Sequence, residues 1–278
     1  MVQLGQYNTL PILKLVDFGL YLDGGDGLEI LMPKRYMPAD PKVGTELRVF
    51  VYQDAEARLI ATNEHPYATV GQFANLRINS VNQTGAFADW GTSKELLIPH
   101  REQAVSMEEG HRYIVYIYID QISGRIAGSS KLDKYLGNIP PKYEEGEEVE
   151  ALIWKRTPLG FKVIINNQHA GLIYQNQIFQ EVHIGERLRA WVKSIRDDDK
   201  IDLSLQPMGY RQMIDPAESA VLRGLHLHGG FLPLTDHSSP ELIAVELKLS
   251  KKAFKKAVGA LYKAHRIELR PDGIQLID

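Results

Sequence analysis

Residues 250–266 read SKKAFKKAVGALYKAHR, a stretch with five lysines up to Lys263 and no acid. At helical spacing Phe254, Ala257, Val258 and Leu261 fall at i, i+3, i+4 and i+7, one apolar stripe to bury. Lys252, Lys256 and Lys263 fall on the opposite side, flanked by Lys251 and Lys255. A cationic face of this kind attracts phosphates, with an affinity that salt weakens. Arg, Asn and Gln, the usual readers of base edges, are missing from the stretch before Arg266. The chemistry expected is therefore backbone contact by Lys252, Lys255, Lys256 and Lys263. The alternative is a solvated lysine face on a packed helix.

Other groups that could do chemistry lack the necessary spacing. His226 and His228 lie two apart, His237 follows, and there is no cysteine, so a zinc site is not expected. Asp197, Asp198 and Asp199 read as a solvated hairpin tip. There is no G-x-x-x-x-G-K-[ST] loop and no nucleophile elbow. We expect no catalytic activity, no cofactor and no metal.

The lysine helix needs a scaffold. Beyond Pro207 the hydrophobic period changes from two to 3.6. A helix is expected over Ala217–Leu227, with Asp215 capping and Pro216 in the first turn. Ser239-Pro240 opens a second helix to about Leu247, and Ser250 caps a third to about His265. IELR, a Pro271-Asp272-Gly273 turn and IQLI then read as a hairpin. Three helices and a terminal hairpin make a winged helix-turn-helix.

The first 207 residues obey a different rule. Gly5, Gly19 and Gly44 recur as Gly71, Gly85, Gly110 and as Gly146, Gly160, Gly185, always with steps of 14 and 25 residues. One module is therefore repeated three times, with starts 66 and 75 residues apart. Each copy alternates apolar and polar residues in five short runs; in the third these are VEALIWKR, GFKVIIN, HAGLIYQ, RLRAWVKSI and KIDLSLQ. A five-stranded sheet this small exposes two edges unless it closes into a barrel. The fold class expected is multidomain and mainly β. Three five-stranded OB-type barrels (1–66, 67–132 and 143–207, with a linker at 133–142) precede an α+β winged helix at 208–278. Their net charges are −3 for 1–66, +1 for 67–142, −3 for 143–207 and +2 for 208–278, so any electrostatic footprint is local. No apolar run approaches 18 residues, so no membrane span is expected. Met1–Thr9 lacks a basic region followed by an apolar one, so no signal peptide is expected either.

DFGLY (Asp17–Tyr21), TGAF (Thr84–Phe87), HAGLIY (His169–Tyr174) and KIDLSL (Lys200–Leu205) resemble the RNA-binding domain named after ribosomal protein S-one. The resemblance implies stacking of unpaired bases on aromatics that flank the module's central glycine, and on another in the third strand. By position those residues are Phe18 and Tyr21 in the first copy, Phe87 in the second and Tyr174 in the third. Thr84, Leu159 and Lys162 replace the other flanking aromatics, and Met32 and Ile98 are taken as the counterparts of Tyr174. Barrel core or an inter-domain contact is the alternative for Phe18, Tyr21 and Phe87. Arg77, Lys155, Arg156, Lys193 and Arg196 are candidate phosphate contacts, or else solvated charge. Trp154 and Trp191 read as core.

Three such barrels and a winged helix resemble, as a whole, the conserved virulence factor B family of bacterial regulators. That resemblance implies a cytoplasmic RNA-binding regulator of gene expression with single-stranded RNA as partner. The alternatives are a duplex-DNA-binding transcription regulator and a protein-interaction scaffold.

Overall fold

The computed structural model describes residues 1–178, 181–196, 198–207 and 216–277. Asp197 and Asp215, singled out above, lie outside the described residues. The chain divides into two compact units, Met1–Pro140 with Ile164–His169, and Pro141–Val163 with Ala170–Asp278.

The first barrel contains β1 (Tyr7–Val16), β2 (Gly19–Asp23), β3 (Glu29–Pro33), β4 (Glu46–Gln53) and β5 (Leu59–Thr62), closed in the order β1-β2-β3-β5-β4. Leu10, Ile12, Leu20, Leu22, Ile30, Met32, Val49 and Val51 fill it. The second contains β6 (Phe73–Val81), β7 (Gly85–Ala88), β8 (Leu96–Pro99), β9 (Arg112–Ile119) and β10 (Ile126–Ser129). Its hydrogen-bonded order is β10-β9-β6-β7-β8, so its β8/β10 seam carries no ladder. The corresponding seam in the first barrel is parallel and holds by one pair, Leu31 with Ile60. Parallel pairing between four- or five-residue strands is the weakest part of the design, and the second copy goes without it. The third barrel, of β11 (Glu148–Thr157), β12 (Gly160–Ile165), β13 (His169–Tyr174), β14 (Arg187–Ile195) and β15 (Ile201–Ser204), closes as β11-β12-β13-β15-β14.

The glycine triplets act as register pins. Gly5, Gly71 and Gly146 donate from their amides to Val51, Ile117 and Val192, at 2.8, 2.8 and 2.7 Å. Gly44, Gly110 and Gly185 donate to Ile12, Ile78 and Ile153, each at 2.8 Å. Gly19, Gly85 and Gly160 open β2, β7 and β12, where a Cβ would lie 2.3, 2.3 and 2.0 Å from the carbonyl oxygens of Met32, Ile98 and Ile173. Strand-to-strand approach, rather than a turn, is what those three positions require.

Within the first unit, β4 is buried on both faces. Val49 and Val51 point into their own barrel, while Phe50 and Tyr52 join the core of the second. The Phe50 ring meets Trp90 edge-on at 5.3 Å, and Trp90 donates its indole N–H to the Ala68 carbonyl. A short 3-10 turn, Leu132–Tyr135, follows the second barrel and lies on β9, with Tyr135 stacked on Tyr116 at 3.9 Å.

The C-terminal region contains α1 (Pro216–Leu227), β16 (Phe231–Leu232), α2 (Pro240–Leu247), α3 (Lys251–Lys263), β17 (Ile267–Arg270) and β18 (Gly273–Leu276). Ser239 caps α2 by accepting from the Leu242 amide, and Ser250 caps α3 by accepting from Ala253. Val221, Leu225, Ile243, Phe254, Leu261 and Ile274 form its core. The strand β16, two residues long, joins the terminal hairpin to give the order β16-β18-β17. Periodicity does not reveal it, because two residues carry no period.

Candidate nucleic-acid interface

Strand register decides which side chains share a barrel face. In the first barrel Lys14 pairs with Tyr21 across the β1–β2 hairpin, after a bulge. Its ammonium sits over the Tyr21 ring at 4.8 Å and also binds Glu29 at 2.6 Å. Phe18 is 59% exposed and meets Tyr21 edge-on at 6.4 Å. Two accessible rings and a cation thus share one edge, the arrangement that single strands stack upon.

Phe87 in the second barrel pairs with Ser80, the position that holds Lys14 in the first. It is half-buried and borders a 790 Å³ cleft between the first two barrels. Arg77 is exposed on β6, paired across the ladder with Arg112. Such a like-charged pair disfavours folding locally and suits an anion.

The third barrel keeps the chemistry but redistributes it. Lys155 and Lys162 lie 4.9 and 4.2 Å from the centre of the Trp154 ring, which is half-buried. Tyr174 accepts a hydrogen bond from Arg196, whose guanidinium lies 6.0 Å from the ring centre. Arg196 also binds Asp202, and that carboxylate, first by hydrogen bonding, favours its charged form. Arg156 and Lys193 are exposed, Lys193 within the irregularity between Val192 and Ser194.

The placement of two groups corrects the expectations above. Trp154 and Trp191 are half-buried, so neither is a core residue. Both lie outward in strands whose inward positions are taken by Ile153, Ala190 and Val192. The counterparts of Tyr174 are Pro33 and Pro99, not Met32 and Ile98. The Gln175 amide donates to Leu159 as the Lys34 amide donates to Phe18, which aligns Tyr174 with Pro33. Gly85 pairs with Pro99 as Gly19 pairs with Pro33. Met32, Ile98 and Ile173 are instead the matching core positions, at most 2% exposed. A slip of one residue exchanges the faces of a strand.

Lys14, Trp154 and Lys162 were not singled out from sequence as partners in a site. The glycine register contained the signal for one of them, since Lys14 and Lys155 each lie nine residues beyond the first glycine of their triplet.

On α3, Phe254, Ala257 and Leu261 are buried while Lys252, Lys255, Lys256 and Lys263 are exposed. Lys255 faces Asp236 at 3.7 Å. Val258 is half-buried and packs on the same core. Among the described residues no group of three His, Asp or Glu side chains gathers to hold a metal. His226 and His228 bind the backbone carbonyls of Leu222 and Gly224. Among the same residues, no helix is long and apolar enough to cross a membrane.

The S1 domain family matches residues 4–64 and 70–128, and the CvfB-like winged helix domain matches residues 219–276. The third barrel is identified by its geometry. An uncharacterized protein, YitL, of Bacillus subtilis (strain 168) is 26% identical over 271 residues, covering 95% of this chain and 90% of that protein. Conserved virulence factor B of Staphylococcus aureus (strain N315) is 24% identical over 281 residues, covering 98% of this chain and 93% of that one. The crystal structure of a multidomain protein with nucleic acid binding domains from Streptococcus pneumoniae TIGR4 is similar at 25% identity, with a TM-score of 0.45. It covers 99% of this chain and 98% of that one. The chain thus carries two S1 matches and a CvfB-like winged helix match, and it is similar along nearly its whole length to proteins named YitL and conserved virulence factor B.

Proposed function

We propose that the protein is a nucleic-acid-binding regulator that holds single-stranded RNA on its barrels and contacts phosphates through α3. The observation that carries this reading is the recurrence of an aromatic ring beside a cation near the central glycine. Tyr21, with Phe18 edge-on beside it, has Lys14, Trp154 has Lys155 and Lys162, and Tyr174 has Arg196. A strand bound this way gains about 1–3 kcal/mol per stacked base, without sequence preference. The lysines of α3 add a salt-dependent attraction. The same helix, lacking residues that read base edges, suits regulation by grip on a backbone rather than recognition of an operator. Nothing in this chemistry requires a reaction, and the S1 and winged-helix families supply binding modules.

Filter-binding titrations over a range of salt test the proposal. Each lysine that neutralises a phosphate on a single strand contributes about 0.7 to the slope of log affinity against log salt. The triple variant Lys252→Ala, Lys256→Ala, Lys263→Ala is expected to reduce that slope by about two. An unchanged slope refutes the phosphate role of α3. A preference for duplex DNA over single-stranded RNA in competition refutes the choice of RNA.

A further inference from the structure

We infer that the cleft between the first two barrels is a nucleotide pocket that takes one base out of line from the strand. This rests on the reading above but goes beyond the open barrel faces on which it depends. The cleft measures 790 Å³, within the range of small-ligand sites. It exists because β4 is shared: Phe50 and Tyr52 fasten one barrel to the other, and the half-open space beside them is lined by residues of both.

The lining has the composition that a nucleotide needs. Phe87, Tyr52, Trp90, Leu96 and Ile126 form an apolar wall, with Phe87 half-buried and available for stacking. Lys94, His100, Arg101 and Arg125 contribute cationic or hydrogen-bonding groups to the same wall, against the carboxylates of Glu95 and Asp120. Those carboxylates are already engaged, Asp120 by Arg101 at 2.6 Å and Glu95 by Asn79 at 2.8 Å. Lys94 donates to the Gln53 carbonyl at 2.6 Å, and Arg125 donates through one nitrogen to the Ala55 carbonyl at 2.9 Å. A guanidinium has five N–H donors, so Arg125 retains capacity for a phosphate.

The side-chain oxygen of Gln53 supplies an independent sign of a ligand. Gln53 borders the cleft, and this oxygen is buried with no hydrogen-bond partner among the described residues. A buried acceptor left without a donor costs about 1–3 kcal/mol. Its terminal torsion is soft, so a small rotation presents it to an incoming N–H. The exocyclic amine of adenine, cytosine or guanine is such a donor. A base stacked on Phe87, donating to Gln53, with its phosphate toward Arg125, satisfies all three features together.

The test uses the full chain and two probes. One is a short single-stranded RNA carrying a single 2-aminopurine; the other is free adenosine monophosphate. On binding, the 2-aminopurine fluorescence is expected to fall as the base stacks, and Ala55→Trp, at the exposed rim of the cleft, is expected to abolish that change. Gln53→Met is expected to weaken the fluorescence-detected binding about fivefold or more while raising Tm. A merely structural glutamine would not produce those opposite signs. If the free nucleotide competes for the cleft, it is one source of the ligand; if it does not, the source is the strand. RNA that binds with lysine-dependent affinity while Ala55→Trp and Gln53→Met leave the 2-aminopurine signal unchanged overturns the pocket and spares the proposed function. If RNA does not bind at all, the proposed function fails. Binding of adenosine monophosphate, or its absence, then upholds or overturns the pocket alone.

Discussion

Replacing Gly160 with alanine tests the physical basis of the barrel repeat. The added Cβ would lie 2.0 Å from the Ile173 carbonyl oxygen and 2.8 Å from both the Gln175 nitrogen and the Tyr174 Cα. A comfortable C···O contact takes about 3.3–3.6 Å, so β12 and β13 must separate by more than an ångström. Every atom in the way is backbone, and no side chain can yield instead. The separation breaks the Gln175-to-Leu159 hydrogen bond, 3.0 Å long, at about 1 kcal/mol. Alanine at φ +149 adds strain of about 1–3 kcal/mol. Overpacking typically adds a further 1–3 kcal/mol. We expect a loss of about 3–7 kcal/mol, a large share of the 5–15 kcal/mol typical of a domain. Hydrogen exchange of the β12 and β13 amides measures it locally, which matters because a multidomain chain has no single unfolding equilibrium. Gly259→Ala is the control: it lies in α3 with open space around it, and alanine there should stabilise the helix by about 0.8–1 kcal/mol. Amides of β12 and β13 that exchange as slowly in Gly160→Ala as in the parent would refute the close-approach argument.

Two further outcomes follow from the same geometry. Phe18→Ala should weaken RNA binding about fivefold or more while Tm stays nearly constant, because the ring is 59% exposed; filter binding and a thermal melt on one preparation check both. Burial works against the charge of Glu102, but hydrogen bonds from Lys134 and Ser129 overcome it and hold the carboxyl below its ordinary range. A depressed carboxylate stabilises the fold fully above its unfolded value, near 4.5, and loses that contribution as pH falls through the folded value. Acidification should therefore loosen the Lys134–Glu102 contact, 2.6 Å long, and free Tyr135 from Tyr116. Protection of the amides of residues 132–135 from hydrogen exchange, relative to the unfolded chain at the same pH, should fall at low pH in the parent and should be low at all pH values in Glu102→Gln. Equal protection of the parent at pH 3 and pH 7 would contradict this.

The barrels were legible because their glycines are backbone requirements. Positions such as Gly146 and Gly185 recur at fixed spacing since the same amide-to-carbonyl bond must form in every copy. The helix caps at Ser239 and Ser250 were equally plain, since capping is a local bond within four residues. The face of Tyr174 was misaligned by one residue because a motif does not report strand pairing, and period two turns one residue into a change of side. Trp154 reads as core by residue type alone; in the fold it is half-buried, with the Lys162 ammonium over its ring.

What belongs to the chain as a string is therefore everything carried by short-range periodicity and by positions where a side chain is forbidden: three modules, their strand order and a lysine-faced helix. What required folding in three dimensions is every relation between residues distant in sequence. The second barrel's missing seam ladder, the β4 strand buried on two sides and the cleft that brings Gln53 to Phe87 are of this kind. The reason is physical: local bonding leaves a repeating mark along the chain, whereas shape complementarity between distant surfaces leaves none.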